Sequence, residues 1–291
     1  MTAGCRAHLL VLPSVVCATR AAADIAEALG AVTITHQHGC SQVGDDGVRT
    51  RVAFGQIASN PNVAAALIVG LGCETVQGRS LADDIRARGQ RAEFVGIQES
   101  GGTRETVRRG LEVGRELLLA ATADTYVPVA DATIGVELSH PSRLADAFMA
   151  RAGEAGATVV LADGAAASAA SSGAASESAF GSFEQAARSV VLTGAGRGAQ
   201  QHVALAAAGV HVIVSFTALD DAPVGFPICP VIAVAGSCDL HAAIADDFDL
   251  AADASVDALW ARTIAVLAGE PSAAESRGSR VFALERLAMC M

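Results

Sequence analysis

Short apolar runs alternate along this chain with stretches that carry their apolar residues at helical spacing, which predicts a β/α protein. His8–Leu12, Ala31–Thr35, Ala65–Val69 and Glu93–Ile97 read as buried strands, rich in branched residues. Thr19–Leu29, Arg49–Ser59, Ser80–Arg88 and Arg104–Ala121 read as the intervening helices, the first ending at Gly30 and the third at Gly89. Strand, helix, parallel strand places the strands' carboxyl ends on one edge, where open α/β sheets bind ligands. A second series follows the connection Tyr126–Asp131. Its strands are Thr133–Glu137, Thr158–Leu161, Ser189–Thr193, Val210–Phe216 and Val231–Ala235. Its helices are Arg143–Glu154, Gln200–Ala208, Leu240–Asp246, Val256–Leu267 and Ser279–Leu287. The expected architecture is α/β: two Rossmann-like β/α domains, residues 1–125 and 131–291, with parallel sheets facing a cleft.

One stretch resists this pattern. Gly164–Ala179 is almost entirely Ala, Ser and Gly, too poor in apolar side chains to anchor itself to a core. It reads as a flexible loop after a strand end: either a lid near the cleft or a tolerated surface insertion.

Bulk properties narrow the function. At 291 residues the chain has ample core, and 52% hydrophobic against 18% charged content describes a globular protein. A net charge of −11 argues against nucleic acid or an anionic membrane as partner and leaves a small anionic substrate, met by a local positive focus. Seven cysteines at irregular spacing form no disulfide framework, which points to reduced thiols and a cytoplasmic setting. Leu9–Ala18 imitates a signal peptide's apolar region, but Pro13 interrupts it and a helix with Asp24 and Glu27 follows.

The densest chemistry lies between Ile34 and Glu74. Thr35-His36-Gln37-His38-Gly39-Cys40 and Gly70-Leu71-Gly72-Cys73-Glu74 each sit at the carboxyl end of a strand, so two imidazoles, two thiols and a carboxylate would share one crevice. That suits metal or acid/base work. Ordinary readings stand beside it: histidines hydrogen-bonded or on the surface, cysteines as small buried apolar residues. Gln98-Glu99-Ser100-Gly101-Gly102-Thr103 ends a strand and opens a helix, where free amides hold an anion or merely cap the helix. Gly194-Ala195-Gly196-Arg197-Gly198, with Asp220 after the next strand, imitates a dinucleotide loop without the fingerprint spacing, and no nucleotide cofactor is expected.

His36-x-x-Gly39-Cys40, Asn60-Pro61-Asn62-Val63-Ala64, Gly70-Leu71-Gly72-Cys73-Glu74 and Ile97–Thr103 together resemble the altronate/galactarate dehydratase family. The resemblance is strong up to about Ala120. It implies a lyase that dehydrates sugar acids, or removes sulfite from sulfolactate, with a divalent metal ion, Fe2+ or Mn2+. His36, Cys40, Cys73 and Glu74 would then be the metal ligands, His36 and Glu74 also catalytic, and Gln98, Ser100, Gly101, Gly102 and Thr103 the substrate contacts. It also implies a homo-oligomer, and a small β-domain subunit encoded separately.

The second half departs from that family. Val136-Glu137-Leu138-Ser139-His140-Pro141-Ser142 stands where the family has a Cys-Gly-Gly-Ser-Asp run. Phe216-Thr217-Ala218-Leu219-Asp220-Asp221 puts two acids where the family has a glycine-arginine turn. Two functions therefore stay open. One is a divergent metal-dependent carbon-oxygen lyase acting on a small hydroxy acid or sugar acid, with His140 or Glu137 as the base. The other is a non-catalytic or regulatory homologue that keeps the fold, with or without the metal site.

Overall fold

The computed structural model describes residues 4–42, 44–120, 126–163, 176–178, 181–186, 189–193 and 198–284. The chain divides into two compact units, one of Met1–Asp124 with Phe282–Met291, the other of Thr125–Val281.

The first unit is built on four strands, β1 (His8–Pro13), β2 (Val32–Thr33), β3 (Val63–Gly70) and β4 (Ala92–Gly96), in the order β2-β1-β3-β4. All neighbours pair in parallel, so every strand delivers its carboxyl end to the same edge. The helices are α1 (Thr19–Leu29), α2 (Asp45–Ala58), α3 (Gly78–Ala87), α4 (Ile97–Ser100) and α5 (Thr103–Ala120). Alternate strand residues feed opposite faces. Leu9, Val11, Ala65, Leu67 and Val69 pack with Ala21, Ala22 and Ile25 of α1 and Leu117 of α5. Leu10, Leu12, Ala66 and Ile68 serve the other face, where α2 and α3 pack together and bury Phe54, Ile57, Leu81 and Ile85. Gly110 lets α5 lie close on α1, since a Cβ there would come 2.3 Å from Cδ1 of Ile25. The sheet thus reads as a doubly wound α/β domain, with its reversal of strand order between β1 and β3.

The second unit carries β5 (Thr133–Leu138), β6 (Thr158–Asp163), β7 (Ser176–Ser178), β8 (Gly181–Ala186), β9 (Ser189–Thr193), β10 (Val212–Phe216) and β11 (Val231–Val234). Its sheet runs β11-β10-β5-β6-β9-β8-β7, parallel as far as β9 and antiparallel in the β8 and β7 pairings. Its helices are α6 (Arg143–Glu154), α7 (Ala199–Ala207), α8 (Cys238–Ala243), α9 (Val256–Leu267) and α10 (Ala273–Ser276). Helix α7 packs on β5 and β6, while α6 and α9 pack on each other and on β6 and β10.

The α/β class and the parallel strands agree with the pattern in the sequence. Three details differ. The antiparallel strands Ser176–Ser178 and Gly181–Ala186 extend the second sheet, so the loop expected through Ala179 already contains a strand at Ser176–Ser178; residues 164–175 and 179–180 lie outside the described residues. The helix expected from Ser279 is not formed over 279–284. Instead the capping box of Ser272 and Glu275 starts α10, and the Val281 amide donates to the Gly225 carbonyl. Strand β2 is only two residues long, because its chain turns at once into the His36 loop. Among the described residues no helix is long and apolar enough to cross a membrane.

Candidate functional site

The loops after β1, β2, β3 and β4 are tied together at the carboxyl edge of the first sheet, and the motif residues do the tying. His36 is buried. Its Nε2 lies 2.6 Å from the Pro13 carbonyl, which makes Nε2 the protonated nitrogen, and its Nδ1 accepts the His38 amide at 3.1 Å. Its ring packs on Phe54 with centroids 4.7 Å apart, and Phe282 lies 6.3 Å from the rings of both His36 and His38. Both ring nitrogens are therefore spent on the backbone. Gly39 links the remaining loops: its amide donates to Gln42 Oε1 at 2.7 Å, and its carbonyl accepts the amides of Thr75 and Val76.

Glu74 is buried. Its Oε2 accepts the Gly72 amide at 2.5 Å, and its Oε1 accepts the Ser14 hydroxyl at 3.0 Å and the Gly78 amide at 3.4 Å. A carboxylate fed by amides and a hydroxyl is stable without a counter-ion. The glycines around it are spatially required, since a Cβ on Gly70 would lie 2.5 Å from Glu74 Oε1. Cys40 and Cys73 are exposed. Among the described residues no group of three or more His, Cys, Asp or Glu side chains could hold a metal ion. The ligand set expected from His36, Cys40, Cys73 and Glu74 is thus not assembled in this arrangement: its best donors already serve the fold. Glu74→Gln accordingly turns an amide NH2 toward an N–H donor and is expected to cost about 1–3 kcal/mol, read from chemical denaturation. Unchanged stability would contradict this assignment.

The third motif behaves similarly. Gly101 and Gly102 take positive φ values of 85° and 126°. Their amides donate to Gln98 and Ile97 carbonyls, closing α4 rather than standing open as an anion cradle. Ser100 is buried, whereas Gln98 and Thr103 are exposed. Glu99 pairs instead with Arg79 at 2.7 Å, and Arg79 lies over the Phe94 ring.

A different constellation stands in the second unit. Glu137 is the one charged residue of strand β5 and is 2% exposed. Glu137 shares a face with Gly135, against which Leu205 of α7 packs. The strand register pairs Glu137 with Ser215 of β10. Ser215 donates to Glu137 Oε2, and Ser139 donates to Oε1 at 3.0 Å. From α7, His202, wholly buried, brings Nε2 to 3.5 Å from Oε2. That is ion-pair range but off the line a hydrogen bond needs, and neither imidazole nitrogen has a hydrogen-bond partner among the described residues. Burial alone pushes the Glu137 carboxyl up; the His202 imidazole, with the Ser215 and Ser139 hydroxyls, outweighs it and holds the group below the usual carboxylate range.

Glu137, Ser139, Ser215, Thr217, Asp221 and the start of α7 line a pocket of about 260 Å³. His140, expected as a catalytic residue, is not among the described lining residues; it is half-buried, and its Nδ1 has no hydrogen-bond partner among the described residues. The sequence signal for Glu137 was a lone carboxylate inside a strand. Nothing local announced His202. Of the dinucleotide-like loop, residues 194–197 lie outside the described residues.

Residues 1–122 match the family model described as D-galactarate dehydratase/Altronate hydrolase, second domain. Over 151 residues the chain is 28% identical to altronate dehydratase of Bacillus subtilis (strain 168), covering 46% of this chain and 29% of that protein. Over 85 residues it is 35% identical to altronate dehydratase of Escherichia coli (strain K12), covering 25% of this chain and 17% of that protein. The chain therefore spans less than a third of the length of these relatives.

Proposed function

We propose, from the premise that residues 1–122 belong to the D-galactarate dehydratase/altronate hydrolase family through its second domain, that the chain is a lyase eliminating water from a small hydroxy acid. Glu137 is its proton-transferring carboxylate. The observation that carries this reading is a buried carboxylate, facing a pocket and kept charged by an imidazole and two hydroxyls. A carboxylate that faces a pocket and stays ionised at neutral pH is available there as a base.

Dehydration of a 2,3-dihydroxy acid breaks the C2–H and C3–O bonds and leaves an enol that becomes the 2-keto-3-deoxy acid. Glu137 takes the C2 proton and, as the acid so formed, returns it to the departing hydroxide, which leaves as water. One carboxylate thus balances the step. Ser139, Ser215 and Thr217 line the same pocket and can orient the substrate's hydroxyls.

The pH profile follows from the direction of the Glu137 shift. A carboxyl whose folded pKa lies below its unfolded value stabilises the fold above the unfolded pKa, and that stabilisation is lost as pH falls through the folded one. The base stays ionised over the same window, so the acidic limb of kcat falls below the usual carboxylate range. His202→Gln removes the imidazole and is expected to move that limb upward; an unmoved limb would count against the pairing.

The commitment of His36 and Glu74 to the fold supports a second reading, a homologue that binds hydroxy acids without converting them. Turnover of altronate and galactarate, followed as 2-keto-3-deoxy acid, separates the two. Folded protein that binds either acid without forming product leaves only the second.

A further inference from the structure

The two oxygens of Glu137 are held differently. Strand register sets Ser215 of β10 beside Glu137 on one side and Ala162 of β6 on the other. Ser215 is buried and donates to Oε2, the same oxygen that the buried His202 approaches to 3.5 Å from α7. Ser139 is exposed, stands just past the end of β5, and donates to Oε1 at 3.0 Å. Oε2 therefore lies among buried groups, and Oε1 on the open side, where Glu137 and Ser139 line the pocket. The hydroxyls differ in setting as well. Ser215 rides on a strand paired on both sides, with β5 and β11. Ser139 has left the sheet, and its hydroxyl can turn from donor to acceptor when the carboxylate takes a proton.

We infer that Glu137 works through one oxygen: Ser215 is the positioning residue that ties Oε2 to β10 and leaves Oε1 to exchange the proton. The inference rests on the proposed function in giving Glu137 its proton-transferring role. Oε1 takes the C2 proton as that C–H bond breaks and returns it to the hydroxide leaving C3, so the proton is neither gained nor lost. The terminal torsion of a glutamate is broad when free. Fixed at Oε2, the carboxylate cannot swing, and Oε1 stays aimed at the substrate. A small misplacement of a reacting group costs far more in rate than in binding. The Ser139 bond is more dispensable, because Oε1 gives up that donor whenever it takes a proton. Burial pushes the Glu137 carboxyl up, and His202, Ser215 and Ser139 pull it down in that order. Asp221 is the other titratable group on the described pocket wall.

The test compares Ser215→Ala, Ser215→Thr and Ser139→Ala in the full chain, by kinetics on altronate and by carbon-13 NMR titration of the Glu137 carboxyl. Its signal is the one that Glu137→Gln lacks. Ser215→Ala is expected to lower kcat about tenfold or more with KM nearly unchanged. It is also expected to raise the carboxyl's titration midpoint by about half a pH unit or more. Ser215→Thr keeps the hydroxyl and restores both. Ser139→Ala is expected to raise KM and to lower kcat by less than about threefold. A larger kcat loss in Ser139→Ala than in Ser215→Ala, or a midpoint that Ser215→Ala leaves in place, overturns the inference. Should Ser215→Ala not fold, Ser215→Cys, close in size and a weaker donor, takes its place. The midpoints are read without turnover, so the two readings fail separately. Parent protein that converts no altronate sinks the dehydratase reading, and the midpoints then decide the anchor alone; conversion with the two serines reversed in effect sinks only the anchor.

Discussion

If Glu137 is the proton-transferring group proposed, Glu137→Gln is expected to lower turnover of the hydroxy acid by about 10²- to 10⁴-fold, the usual contribution of a positioned acid/base group. The fold should hold. Glutamine has the same shape, and the Ser139 and Ser215 hydroxyls that donate to Glu137 are rotors able to accept from an amide as well. What is lost is the charge that faces His202 across 3.5 Å, a change worth about 1–2 kcal/mol at most once the relief of burying a carboxylate is set against it. Activity and thermal stability therefore separate: kcat collapses while the melting temperature moves by a few degrees. A kcat within tenfold of the parent, in protein that still melts cooperatively, would remove Glu137 from the chemistry.

Gly39→Ala should produce the largest loss of stability in the first unit. A Cβ at Gly39 would stand 2.1 Å from the Ser14 carbonyl oxygen and 2.8 Å from the Val15 Cα, both main-chain atoms that no rotamer change can move aside. Its φ of +90° adds strain for any side chain. Left-handed backbone costs about 1–2 kcal/mol and overpacking about 1–3 kcal/mol, so the sum is about 2–5 kcal/mol. The damage spreads, because Gly39 bonds to Gln42, Thr75 and Val76 and so holds the loops after β2 and β3 together. Gly30 is the control: it is left-handed with a φ of +62°, but nothing lies within 4 Å of a Cβ there. Gly30→Ala should cost only the backbone strain. Comparable melting temperatures for the two variants would show that the close approach at Gly39 is not a constraint.

The sequence revealed the first unit well where local chemistry sets the boundary. Helix α1 ends at Leu29 because Gly30 takes a left-handed conformation that few other residues adopt so readily. It failed where distant partners decide. The strands Ser176–Ser178 and Gly181–Ala186 have few apolar side chains to announce them, yet β8 pairs along the whole of β9. At the C-terminus, Phe282 packs beside His36, His38 and Phe54 instead of continuing a helix, and no neighbour in sequence reports that. The motif residues were visible as a group, but their duties were not. His36 and Glu74 look like ligands until the Pro13 carbonyl and the Gly72 and Gly78 amides are seen to occupy them. Glu137 is the converse: its oddity inside Thr133–Leu138 was legible, while its partners Ser215 and His202 arrive only through strand register and the packing of α7.

Solvent hydrogen exchange addresses the central claim, that Glu137 removes the proton next to the substrate carboxylate, more directly than any rate of product formation. Altronate is incubated with the protein in deuterated water, and deuterium at C2 of recovered substrate is followed by NMR. The account predicts incorporation with the parent protein and none above background with Glu137→Gln. Incorporation by Glu137→Gln at the parent rate would contradict it.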